Sequence, residues 1–163
     1  MTRRRAQTGF TFFELMLVMV ILGVLAAIVM PSIKNYSARA KLSEAIIALT
    51  NCRTTVSEIY LSGGDLPTIS TGGWGCEGTS TSKYVETIAV SDEGVIKVTT
   101  SGALGDLRVS LRDITLAPLA RTGLPMGPDD SGNAVFRWRC GSTADGTDAD
   151  LDVSFLPGSC RGS

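Results

Sequence analysis

One carboxylate, Glu14, stands inside the apolar stretch "GFTFFELMLVMVILGVLAAIVMP", and no basic residue occurs between Arg5 and Lys34 to meet it. From Leu15 to Met30 sixteen residues carry no charge, and Phe12 and Phe13 extend the run on the other side of the glutamate. Such a charge costs up to ~2.5–3.5 kcal/mol at a bilayer centre, less toward one end of a span, and is retained for a partner. If the chain is cut after Gly9, the new α-amino group of Phe10 is a cation at the same depth. In a neighbouring copy displaced by one step, that amine can meet Glu14. The chemistry is ion pairing between copies, with Glu14 as an assembly device.

The other groups able to do chemistry are cysteines, arginines and aspartates. Cys52, Cys76, Cys140 and Cys160 lie beyond the apolar segment, and the sequence permits three pairings. Their scattered spacing, without a CxxC pair, favours disulfides in an oxidising space over a zinc site. Arg108 and Arg112 share a face of "LRVSLRDITL", Arg137 and Arg139 share a face of "AVFRWRC", and Arg161 follows the last cysteine. If the strands are neighbours, these form a basic strip for DNA phosphates. The plainer reading is the wet face of a sheet, neutralised by Asp106, Asp150 and Asp152. Asp145, Asp148, Asp150 and Asp152 offer oxygens of the kind calcium takes, but "DGTDADLD" does not match the twelve-residue calcium loop and reads as a solvated turn. With no histidine in the chain, histidine acid–base catalysis and histidine metal sites are excluded. No nucleophile with a base can be assembled, so neither an enzyme nor a metal or cofactor is expected.

A helix from Phe10 to Ile33 would be roughly 36 Å long at about 1.5 Å per residue, enough to cross a hydrocarbon core of about 30 Å. Arg3, Arg4 and Arg5 flank it, and flanking positive charge stays cytoplasmic, so the rest of the chain faces away. An ordinary signal peptide, cut at Ala26-Ala27 or Ala38-Arg39-Ala40, is the alternative; its apolar core would run only about 7–15 residues and would not carry a carboxylate. Beyond Pro31, which lacks an amide hydrogen and should kink the helix, Ala38, Leu42, Ala45, Leu49, Cys52, Val56 and Ile59 follow at helical spacing. The spacing predicts helix to about residue 61. A Gly-, Ser- and Thr-rich loop follows, then strand-like alternation in "VIKVTT", "LRVSLRDITL", "AVFRWRC" and "LDVSFLP". One long helix followed by strands implies an α+β layer pair, an antiparallel sheet on the stripe. At 163 residues and 44% apolar the chain holds one modest domain beyond the membrane segment. Removing the three leader arginines takes 15 basic residues to 12 against 16 acidic ones, and the balance from −1 to −4, which is not the charge of a general nucleic-acid binder.

The segment "GFTFFELMLVMVILGVLAAIVMP" resembles the class III signal and N-terminal helix of type IV pilins: Gly9, Phe10, Thr11, Glu14, Leu15, Gly23, Ala26, Ala27 and Pro31 fall where that family has them. Phe12 and Phe13 depart from the usual aliphatic pair. The resemblance implies a leader over residues 1–9 removed by a prepilin peptidase, N-methylation of Phe10, and a transmembrane and filament-core helix over 10–33. It implies a globular domain over 34–163, outside the inner membrane and then in an extracellular pilus. Assembly would use Glu14, Gly23 and Pro31, the stretch between the last two losing helical order in filaments. "WRCGSTADGTDADLDVSFLPGSCR" resembles the disulfide-closed C-terminal loop of type IVa pilins, which implies Cys140–Cys160. Cys52–Cys76 is then the other pair, with Cys52 on the core-facing stripe and Cys76 in the loop that crosses it. The implied fold is a helix spine, transmembrane in one half and amphipathic in the other, packed on a β-meander. The implied partners are copies of itself, the peptidase, the inner-membrane assembly platform, the membrane and, through the arginines, DNA. The leading function is a major or abundant type IVa pilus subunit for twitching motility, adhesion and DNA uptake. The alternatives are a minor pilin that binds DNA or a surface, and a pseudopilin of type II secretion.

Overall fold

The structure, a computed structural model, describes residues 9–68, 73–79, 82–105, 109–141, 151 and 153–161, with the side chains of 31, 32 and 153 outside the description. Helix α1 (Phe12–Ser62) opens where the Thr11 hydroxyl oxygen accepts the Glu14 amide at 3.3 Å, a side-chain cap that satisfies one of the free donors of the first turn. Its helical backbone is unbroken through Pro31. The chain divides into two compact units, Met1–Tyr36 and Ser37–Ser163.

In the second unit the apolar stripe is buried as its spacing requires: Ala38, Leu42, Ala45, Leu49, Cys52 and Val56 are no more than 4% exposed. At the helix end the stripe moves to Tyr60, fully buried, while Ile59 is only half-buried. Steps alternating four and three average 3.5 residues, slightly short of the 3.6 of an α-helix, so a fixed face drifts forward and the final step becomes four. Facing the stripe are Val85, Val90, Ile96, Val98, Ile114 and Leu116, which form one core with it.

Those residues come from β2 (Val85–Val90), β3 (Ile96–Thr100) and β4 (Asp113–Leu119); β1 (Gly78–Thr79) and β5 (Arg137–Gly141) complete the sheet. Among the described residues the strand order is β1-β2-β3-β4-β5, each pair antiparallel. It is a meander, and "VIKVTT" and "FRWRC" contribute β3 and β5.

Two expected strands are shorter or absent. "LRVSLRDITL" is strand only from Asp113, because Val109 to Leu111 form a turn with Leu111 at φ 55°. Arg112 therefore precedes the strand; Arg108 and Asp106 lie outside the described residues. "LDVSFLP" contains a 3-10 turn, Val153–Phe155, in place of a strand. Phe155 and Leu156 are buried side by side there, which a strand's alternation does not allow. The aspartates expected at its outward positions, Asp150 and Asp152, and also Asp145 and Asp148, lie outside the described residues.

The β2–β3 turn locks onto the helix end. Tyr60 donates its hydroxyl to the Glu93 carbonyl at 2.9 Å, and burial, with smaller contributions from Asp130 and Glu93, pushes its phenol up to about 12. Gly94 sits at φ 73°, and a Cβ there would come within 2.9 Å of Tyr60 Cε2 and 3.2 Å of both Trp74 Cη2 and Val56 Cγ1. Only glycine meets both demands. Gly94→Ala is expected to lower stability by about 1–3 kcal/mol from overpacking, with backbone strain in addition. A denaturant midpoint equal to that of the parent would refute this.

Candidate functional site: an exposed apolar helix and an arginine-flanked strand

In the first unit the helix presents apolar side chains all round. Phe10, Phe12 and Phe13 are 82%, 81% and 76% exposed, and every large apolar residue from Leu15 to Met30 is exposed as well. Its most apolar window has mean hydropathy 2.8, and α1 is long and apolar enough to cross a membrane. A helix apolar on all faces is covered by lipid or by other protein. Glu14, also exposed, is in the first turn, where the partial positive charge of the helix end already favours a carboxylate. A Cβ on Gly23 would meet nothing within 4 Å. Nothing among the described residues therefore demands a glycine there, where alanine would favour the helix by about 1 kcal/mol. Gly9 is exposed and equally unobstructed.

The cysteines are joined as Cys52–Cys76 and Cys140–Cys160, with Cα–Cα distances of 5.4 Å and 4.5 Å. Cys52 faces the core from α1, and a loop folded around Glu77 carries Cys76 to it. The Glu77 carboxylate accepts the Trp74 amide at 2.7 Å and the Cys76 amide at 3.2 Å. Gly73, at φ 75°, leaves room for that carboxylate, since a Cβ there would lie 2.7 Å from Oε1. Trp74 is thereby buried at 2% exposure, its ring 5.8 Å from that of Tyr60. Cys140, on β5, reaches Cys160 in the 3-10 turn Gly158–Cys160.

The expected arginine strip divides. Arg137 and Arg139 face away from α1, opposite Leu119 and Ala117 of β4, while Trp138 and Cys140 pack on the core side. Arg137 is exposed; Arg139 is half-buried, and among the described residues its Nε has no hydrogen-bond partner. Arg112 stands beyond the opposite end of β4, on the order of 17 Å from the position facing Arg139 at about 3.4 Å per residue, so the two do not make one cluster. Arg161 donates its Nε to the Leu156 carbonyl at 3.0 Å and closes its own turn. On the same sheet face Lys97 pairs with Asp113 at 3.3 Å.

Two arginines outside the expected set approach β5 from its other side. Arg53 of α1 lies 5.6 Å from the Trp138 ring centre, and Arg121 of the β4–β5 loop lies 5.8 Å from that of Phe136. Arg53 sits next to the buried stripe, so spacing could have placed it at the helix–sheet margin; nothing local marks Arg121. Phe136 is 56% exposed. No cluster of three potential metal ligands occurs among the described residues.

Comparison with known proteins bears on both regions. The family Pilin (bacterial filament) matches residues 38–161, and the prokaryotic N-terminal methylation motif matches residues 4–30. The chain is 31% identical to the type IV major pilin protein PilE of Neisseria gonorrhoeae, covering 95% of this chain and 94% of the relative. It is 32% identical to the fimbrial protein EcpC of Eikenella corrodens, covering 97% and 93%. A type IV pilin crystal structure from Pseudomonas aeruginosa shares the fold, with TM-score 0.54 at 19% identity over 77% of this chain and 98% of that one. With its long N-terminal helix, five-stranded antiparallel sheet and disulfide-closed C-terminus, the chain belongs to the pilin family of bacterial filament subunits.

Proposed function

We propose that the chain is a major or abundant subunit of a type IV pilus, made as an inner-membrane precursor, cut between Gly9 and Phe10 by a prepilin peptidase, methylated on Phe10, and polymerised by an inner-membrane platform. The observation that carries this reading is an apolar helix exposed on every face with one carboxylate in its first turn. Lipid can cover the apolar faces but not Glu14, and the Phe10 amine of an adjacent copy is a cation the chain itself would create to pair with it. Gly23 and Pro31 act in the same step, Gly23 by admitting a neighbouring helix closely and both by loosening the stretch between them. The filament would serve twitching motility, adhesion and DNA uptake. Glu14→Ala is expected to leave membrane insertion intact while lowering the yield of sheared filaments several-fold. Wild-type filament yield from that variant would remove the assembly role.

A second reading, a DNA-binding subunit within a filament built mainly of another pilin, is favoured by the outward row of Arg137 and Arg139. The two readings separate on abundance, since a major subunit dominates the protein of sheared filaments.

A further inference from the structure

Basic side chains alternate with aromatic ones along one edge strand. Phe136 and Trp138 are two residues apart on one face of β5 and its lead-in, each with a guanidinium near its ring; Arg137 and Arg139 occupy the opposite face. Each ring borders an open recess: one of 590 Å³ holds Phe136 and Arg121, and one of 180 Å³ holds Trp138 and Arg53. Asp130 borders the first recess, and its carboxylate accepts the Gly127 amide at 3.0 Å. We infer that this edge of the sheet is a stacking platform for single-stranded nucleic acid, with bases on Phe136 and Trp138 and backbone phosphates on Arg53, Arg121, Arg137 and Arg139.

The chemistry selects the strand form. Unpaired bases stack on aromatic faces whatever their identity, and flanking arginines neutralise the backbone. The two rings are about 6.8 Å apart along an extended strand, twice the ~3.4 Å per-strand phosphate spacing of a duplex along its axis. Only a strand with its bases splayed can put one base on each ring, and a duplex keeps its faces stacked inside. The inference rests on the DNA-binding reading and narrows it to one edge and one ligand form.

The test uses the full chain in detergent micelles and again as assembled filaments, with oligo(dT), a duplex of equal length and inorganic polyphosphate as probes. Oligo(dT) should bind more tightly than duplex or polyphosphate and should quench tryptophan fluorescence. Of the two tryptophans Trp74 is buried, so the quenching reports Trp138. Phe136→Ala should weaken oligo(dT) binding roughly five- to hundredfold with the fold retained, and Phe136→Tyr should restore it. Arg121→Ala should flatten the log–log salt dependence by about 0.7. Equal or tighter binding of duplex or polyphosphate, unchanged by Phe136→Ala, overturns the platform and leaves the DNA-binding reading as a charge effect. Absence of binding by any probe at low salt overturns both. Binding by micellar subunits but not by filaments shows that copies cover this edge, and also overturns it.

Discussion

Filaments sheared from cells that make only the Gly9→Val chain should contain no subunit beginning at Phe10. Gly9 is exposed, and among the described residues nothing lies within 4 Å of where its Cβ would be, so their packing would accept a valine. On the proposed processing the effect would arise in the peptidase, whose site would have to admit an extended backbone with no side chain before the scissile bond. A β-branched residue crowds that site and narrows the backbone angles available. Uncut chain keeps Arg3, Arg4 and Arg5 on the cytoplasmic side and creates no amine at Phe10, so both processing and the Glu14 contact fail together. Mass spectrometry of membranes and of the sheared fraction decides the matter. A normal mature mass beginning at methylated Phe10 would refute the cleavage site.

The second large effect is expected from Cys140→Ser. The Cys140–Cys160 bond closes a segment 20 residues long and holds β5 to the turn that buries Phe155, Leu156 and Cys160. Opening it frees the unfolded chain by an amount worth roughly 3 kcal/mol in the loop-entropy model, within a usual range of about 2–5 kcal/mol for a native bond in a small secreted domain. Denaturant unfolding of the variant, with Cys52–Cys76 kept intact, should show a loss of that size. Unchanged stability would mean that packing of Phe155 and Leu156 holds the turn without the bond.

The long helix and the meander were legible because their patterns are local. The stripe from Ala38 to Val56 and the alternation of "VIKVTT" state their buried faces directly. What escaped depends on partners elsewhere in the chain. In "VETIAV" the register shifts between Val85 and Thr87, which breaks the alternation that would have marked β2. The turn at Leu111 hides inside "LRVSLRDITL", where parity counted across it places Arg112 on a strand face it does not occupy. Counted at 3.5 residues per turn the stripe ends on Ile59, whereas the helix's own 3.6 brings Tyr60 to the core, where its hydroxyl meets the Glu93 carbonyl 33 residues away. Of the candidate site, Glu14 stands out by residue type and order alone, whereas Arg53 and Arg121 meet β5 only through the packing of the helix and of the β4–β5 loop.

Were the proposed filament pulled, the two sulfur bridges would decide which parts of a subunit feel the pull. Force arriving along α1 reaches Cys52 and can pass through the bridge to Cys76 and then to the sheet edge at Gly78–Thr79. The last turns of the helix and the loop after them are thereby bypassed. Sequence separations of 24 and 20 residues across the bridges, at about 3.4 Å per residue, withhold roughly 80 Å and roughly 70 Å of contour length from any stretch. An overloaded subunit would therefore keep those two segments out of the extension, and the sheet between Cys76 and Cys140 would be the part that yields.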